Sequence, residues 1–449
     1  MEKDLLSNFE SGTREKWLDK ITTDLKGKSI DSLLWHSEIG EINPVIFDSN
    51  KVSSDAFIRN KKNDWNIRQS FDANKTDVNN QILFALKEGV NAIEIKNLSS
   101  SNINQTLEGV MIDIVSIYMD INTNSPLETI KTFLEFCVSK NINTENINGG
   151  FMYDPIGHFI QNGRWFKDQQ SDLSKIEEIV LAAKKFKHFT ILNIDAVNYC
   201  NEGANVDTQI GYAIAHGNEY LNLFCENPNL LEKVINKLEF SIGIGTSYFL
   251  EIAKLRAFRS LWSTVSNQYT SSKKTAAKIH AINTDLHYSN KDMYNNLLRA
   301  TTSGMSAVIG GCNSLTLLPF NINTVEDDKF GERISKNIQL VLQEEAHLNQ
   351  VKDASKGSYY IESIVNQIKA NSWNMFLNIE ASDGFIEGLK NKSIQARMNK
   401  ELQKKETDLK DESKIMVGVN KYVNKKEMDS SNNIETAKTA QKRLAALYE

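Results

Sequence analysis

Residues 289–320 read SNKDMYNNLLRATTSGMSAVIGGCNSLTLLPF. Ser289 followed by Asp292 has the Ser-x-x-Asp spacing of a capping box, which satisfies two orphan amides at a helix start. Met293, Leu297 and Leu298 then recur at helical spacing, and Thr302-Ser303-Gly304 closes the predicted helix. The apolar run Ala307-Val308-Ile309, ending in Gly310-Gly311, suits a buried parallel strand. A helix feeding a strand whose carboxyl end opens into Gly-Gly-Cys-Asn is one αβ unit with an exposed mouth.

Outward from that unit, the same rhythm fills the preceding chain. Predicted strands are Ile67-Arg68-Gln69-Ser70, Ala92 to Lys96, Val115 to Met119, Gly149 to Tyr153, Phe189 to Ile194, Phe258 to Trp262 and Lys278 to Ile282. Helical patterns separate them, including 78–89 and 127–138. With the opening stretch as the eighth strand, this is the arithmetic of a (β/α)8 TIM barrel. An open doubly wound sheet is the alternative, but no Gly-rich dinucleotide or phosphate loop follows the early strands.

Composition limits the function classes. The chain has 449 residues, 40% hydrophobic and 24% charged, which suits one large barrel with appendages. A net charge of −5 argues against a nucleic-acid groove, which needs clustered Lys and Arg. No long apolar run predicts a membrane span, and Met1-Glu2-Lys3-Asp4 has no signal-peptide core, so a cytoplasmic protein is expected. Cys137, Cys200, Cys225 and Cys312 form no CxxC pair, so neither a zinc site nor a disulfide frame is expected.

Three segments are expected: an N-terminal arm over 1–50, the barrel over 51–348, and a C-terminal helical extension and tail over 349–449. In the arm, Thr13 caps a helix with Glu15 in its first turn and Trp17, Ile21 and Leu25 on one stripe. A single stripe needs a surface to cover it, within the chain or on another chain. A helix is predicted over 333–347 at the end of the barrel segment, and in the extension another after Gly357 and a last one at the chain end.

Several motifs resemble the methylmalonyl-CoA mutase family, which are adenosylcobalamin-dependent acyl-CoA isomerases. They are Tyr294-Asn295-Asn296 with Leu298-Arg299, Gly311-x-Asn313-Ser314-Leu315, Gly357-Ser358-Tyr359-Tyr360-Ile361-Glu362, and Gly418-Val419-Asn420-Lys421-Tyr422. The segment from Lys16-Trp17 to Leu34-Trp35-His36 is similar to the arm of the family's small subunits. Ala354 departs from the family's proline after Asp353.

Active members carry Gly-Tyr-His-Met-Gln-Glu-Ala-Gly-Ala after the fifth strand, where Tyr helps displace the adenosyl group and His bonds the thioester carbonyl. The corresponding run here puts Val197 at the Tyr position, Asn198 at the His position and Cys200 at the Gln position. Valine donates no hydrogen bond, and asparagine has no proton of tunable pKa. Ahead of the first strand, Asn60 stands at the family's Tyr position and Asp64 at its Pro, while Trp65, Ile67, Arg68 and Gln69 persist. Arg68 and Gln69 either line a residual pocket or form a polar layer inside the barrel. Together with His280 on the seventh strand, Asn60, Arg68, Gln69, Val197, Asn198 and Cys200 form the expected degenerate mouth.

The resemblance therefore implies a non-catalytic small (beta) subunit in a heterodimer. Its homologous large (alpha) subunit would bind adenosylcobalamin and interconvert (R)-methylmalonyl-CoA and succinyl-CoA, a step of propionate metabolism. No catalytic, cofactor or metal residue is expected in this chain. The cobalamin domain, with its Asp-x-His-x-x-Gly motif, is expected to be absent. The near miss Asp285-Leu286-His287-Tyr288-Ser289-Asn290 has Asn where Gly is required and is expected to be a loop. Two alternatives remain: a catalytic barrel whose cobalamin domain is a separate chain, and a free-standing CoA-thioester binder. Glu344 and His347 at i, i+3 on the predicted helix are expected to be a solvated face, and Cys312 a buried inert thiol.

Overall fold

A computed structural model describes residues 12–43, 63–270, 276–324, 329–424 and 442–449. A small antiparallel hairpin, β1 (Trp35–Ser37) with β2 (Gly40–Ile42), precedes a set of parallel strands. These are β3 (Asn66–Asp72), β4 (Ala92–Lys96), β5 (Ser116–Asp120), β6 (Asn148–Met152), β7 (His188–Thr190), β8 (Leu192–Asp195), β9 (Leu238–Ile244), β10 (Lys278–Asn283) and β11 (Ser314–Thr316). Their order is β7-β6-β5-β4-β3-β11-β10-β9-β8. β7 and β8 are halves of one strand broken at Ile191, whose amide donates to Lys237 O. The first half pairs with β6 and the second with β9, so eight staves close around an axis. This is the expected (β/α)8 barrel.

Two predicted strands are helix instead. Phe258 to Trp262 lies inside the helix Tyr248–Tyr269, and the sixth stave is β9, in which every residue is buried. That helix packs between Val206–Asn222 and Tyr359–Glu380, so it is apolar on more than one face and carries no clear helical stripe. Likewise Ala307 to Gly310 ends the helix Asn295–Gly310, and the eighth stave starts at Ser314. Ala307 and Val308 are wholly buried on the inner face of that helix. Gly311, at φ 99°, ends it in the left-handed region and returns its amide to Ala307 O. The capping box does not form. Ser289 Oγ accepts from the Lys291 amide, Asp292 sits at φ 47°, and the helix begins only at Asn295.

Thr13 caps the arm helix Arg14–Asp24 through the Lys16 amide, and no residue of that helix is buried. The hairpin behind it clasps the C-terminal helices: Gln367 and Asn371 both donate to Ile39 O, and Lys405 pairs with Glu38 at 2.8 Å. The helix Lys329–Glu344 stops short of His347, which lies beyond it at φ 53°, so Glu344 and His347 share no helical face. Arg256 on the helix Tyr248–Tyr269 grips the extension through Asp353 (2.5 Å) and Glu362 (2.6 Å). One hydrophobic core runs from the barrel into the extension through Ile361, Ile364, Val365 and Ile368. The predicted last helix appears among the described residues only as a one-turn 3-10 helix, Leu444–Leu447; residues 425–441 lie outside them.

Candidate functional site

Side-chain alternation along the staves aims Arg68, Glu94, Tyr118, Glu239 and His280 at the barrel axis. Branched aliphatics usually fill that space. Here Arg68, wholly buried, donates to Glu239 Oε2 at 2.9 Å and pairs with Glu94 Oε2 at 2.9 Å. Its guanidinium carbon lies 3.6 Å from the centre of the Tyr118 ring. Burial works to raise the Glu94 carboxyl, but the Arg68 and Lys96 charges hold it below the usual range. His280, also fully buried, places Nδ1 3.3 Å from Ser241 Oγ and Nε2 2.9 Å from Thr316 Oγ1. Burial, then the Arg68, Lys96 and Lys278 charges, keep its pKa well below the ordinary value. Charged and aromatic side chains thus plug the axis below the mouth.

Above the plug, the carboxyl ends of the staves enclose a cavity of about 520 Å³. Asp154 caps the helix Pro155–Asn162 and anchors the cavity wall. Its Oδ1 accepts from the Gly157 amide (2.8 Å) and from Tyr220 Oη (2.5 Å), with His216 Nε2 at 3.0 Å. His216 Nδ1 in turn meets Tyr199 Oη at 2.9 Å, completing a buried Tyr-His-Asp chain beneath the mouth. Tyr199 and His216 have no exposed surface, so they order the wall, and Asp154 alone of the three reaches the cavity. Asp154 Oδ2 accepts from the Asp195 amide at 2.8 Å. The two crowded carboxylates differ. Burial opposes ionisation of Asp154, yet His216 holds its pKa low, whereas burial and the Asp154 charge push Asp195 up to about 7.

The expected mouth residues separate in space. Val197 and Asn198 face the cavity from the short helix Val197–Asn201, and Asn198 Nδ2 donates to Asp195 Oδ2 at 3.1 Å. Cys200 turns instead into a neighbouring cavity of about 400 Å³, and burial raises its thiol pKa. Arg68 and His280 sit lower, in the plug. Gln69 turns outward, its Nε2 3.4 Å from Glu332 on the helix Lys329–Glu344. Asn60 lies outside the described residues. Glu94, Asp195 and Glu239 escaped the sequence reading, although an acid inside the apolar strands Ala92–Lys96 and Leu238–Ile244 was a usable signal.

The near-miss histidine does not fit a corrin. Asp285–His287 is a 3-10 turn after β10, and His287 lines the 400 Å³ cavity beneath Leu409, Met416 and Leu444. Burial and the Lys405 charge lower its pKa to about 4. The ring is half-buried in a turn of the barrel itself, beside the tail, and is not carried by a separate domain that could cradle a corrin. Among the described residues no three His, Cys, Asp or Glu side chains converge on a metal-sized site.

Fold and site together define a parallel (β/α)8 barrel with a plugged axis and a polar, acidic mouth. The family model described as methylmalonyl-CoA mutase matches residues 87–449, and the chain belongs to that family. It is 32% identical to the methylmalonyl-CoA mutase small subunit of Porphyromonas gingivalis over 94% of this chain and 71% of that protein. It is 26% identical to the small subunit of Streptomyces virginiae, over 88% of this chain and 68% of that protein. It is also 26% identical to the methylmalonyl-CoA mutase of Rhizobium meliloti, over 70% of this chain and 44% of that protein.

Proposed function

We propose that this chain is the non-catalytic small subunit of a heterodimeric methylmalonyl-CoA mutase. It supports a homologous large subunit that binds adenosylcobalamin and isomerises (R)-methylmalonyl-CoA and succinyl-CoA in the cytoplasm. The observation that carries this reading is the state of the barrel axis. Where an acyl-CoA would need an open passage, Arg68 is locked between Glu94 and Glu239 over the Tyr118 ring. Above it, Val197 and Asn198 stand at the positions where the family resemblance calls for Tyr and His. The mouth's acidic lining also opposes the phosphates of a CoA ester. The same observations disfavour a catalytic barrel served by a separate cobalamin chain. Among the described residues no helix is long and apolar enough to cross a membrane.

The chain's own contribution is then mechanical. A barrel filled with ion pairs and clasped by its extension is a rigid surface, and binding it stabilises the large subunit by mass action. The test mixes the chain with adenosylcobalamin and methylmalonyl-CoA, alone and with the large subunit from the same source. Turnover and co-elution only when the large subunit is present support the reading. Turnover by this chain with a stand-alone cobalamin-binding protein overturns it.

A further inference from the structure

We propose that the second cavity, beside the barrel mouth, binds a medium-chain aliphatic carboxylate, its charge on Arg299 and Lys414 and its chain against the aliphatic wall. This cavity, about 400 Å³, lies where the turns after β9 and β10 meet the C-terminal extension, and it is of the size that holds small organic ligands. Its walls are amphipathic. Leu286, Leu409, Met416 and Leu444 line it and are buried, while Leu298, Ile415 and Val417 line it and are 67%, 50% and 49% exposed. Large aliphatics left half-exposed around one opening are surface that an apolar chain would withdraw from water.

The charges set the sign of the ligand. Two acids line the cavity and both are spent within the chain, Glu38 on Lys405 at 2.8 Å and Glu251 on Lys254 at 2.5 Å. Lys405 is thereby matched, but Arg299 and Lys414 form no ion pair among the described residues. Arg299 donates to Asn296 Oδ1 at 2.7 Å and to the Val417 carbonyl at 2.6 Å, which fixes the guanidinium and leaves N–H groups over. The Asp292 charge reaches it, yet that carboxylate accepts from Asn295 and does not pair with it. A half-buried guanidinium held in place without a counter-charge suits a carboxylate, which its fork can take bidentately.

His287 adds an independent observation. Its ring lines the same cavity and makes no hydrogen bond among the described residues. Gly245 gives it room, since a Cβ there would lie 3.3 Å from Nε2. A neutral imidazole carries one N–H, so the ring can add a donor to the same carboxylate. The anionic head and the apolar tail are therefore both specified by side chains that the proposed subunit role does not use.

The test is calorimetric titration of the full chain with butanoate, hexanoate and octanoate. 1-Octanol and inorganic phosphate serve as probes of the tail and of the charge alone. One site per chain is expected, tightening about tenfold from hexanoate to octanoate as two more methylenes leave water. 1-Octanol and phosphate should each bind about tenfold or more weaker than octanoate. Lys414→Glu and Leu298→Glu alter exposed side chains, so both should fold, and each should weaken octanoate about tenfold. Arg299→Gln should weaken it further; if that variant does not fold, the two exposed variants decide. Absence of binding at millimolar octanoate overturns the proposal, as does octanol or phosphate binding as tightly as octanoate. So does equal affinity across the chain lengths, or in wild type and the variants. The titration uses this chain alone, so its failure leaves the small-subunit reading standing, and the failure of that reading leaves this site intact.

Discussion

Arg68 Nη1 donates to Glu239 Oε2 at 2.9 Å across the barrel axis, and neither side chain exposes any surface. Removing one member of a buried ion pair strands the other charge, which costs about 3–5 kcal/mol. Arg68→Met is therefore expected to lose stability of that order in urea unfolding, and to regain part of it when Glu239→Gln is added. A loss under about 1 kcal/mol in the single variant would show that the pair does not hold the axis.

Asp195 gives the protein a pH signature. Its folded pKa, near 7, lies above the unfolded value near 3.8, so the folded state binds this proton more tightly. Stability then falls as pH rises from about 4 to about 7, because ionisation is harder in the folded chain. Asp195→Asn removes that penalty. It should be more stable than wild type at pH 8, on the order of 4 kcal/mol, less the bond from Asn198, and show no such gain at pH 4. Thermal unfolding across that range checks both the sign and the window.

Gly149 enters β6 at φ 140°, and a Cβ there would lie 1.7 Å from Ile117 O on β5. No side-chain rotamer relieves a clash with backbone in a parallel ladder. Gly149→Ala should yield insoluble protein, or cost more than about 3 kcal/mol by chemical unfolding. Soluble protein with wild-type unfolding would contradict the strand pairing.

Arg256 ties the extension to the barrel through Asp353 and Glu362. Arg256→Met leaves two buried acids without their partner, so the helix Tyr359–Glu380 should loosen where it starts. Limited proteolysis should then cut between residues 345 and 358 faster than in wild type. An unchanged cutting rate would assign the docking to the apolar contacts of Ile361 and Ile364 alone.

Refitting the mouth should not restore chemistry. Val197→Tyr with Asn198→His supplies the side chains of the active family members, but Arg68 still fills the axis below. No turnover of methylmalonyl-CoA is expected from this double variant with adenosylcobalamin and no large subunit. Measurable turnover would mean that the plug is not what bars the substrate.

The sequence by itself determined the class of fold, the family and most of the staves. Strands such as Ala92–Lys96 and Lys278–Asn283 are short apolar runs bounded by helical patterns, and their period is local information. Thr13 as a cap was equally local. Only the tertiary structure decided whether Phe258 to Trp262 and Ala307 to Gly310 are strand or helix. A helix buried on several faces and a parallel strand both read as unbroken apolar runs, and what separates them is the neighbours that cover them. The site divides in the same way. Loss of the Tyr-His pair is visible at Val197 and Asn198, but the pairing of Arg68 with Glu94 and Glu239 depends on stave register and barrel closure. Those bring together residues far apart in the chain, and no local pattern encodes their distance.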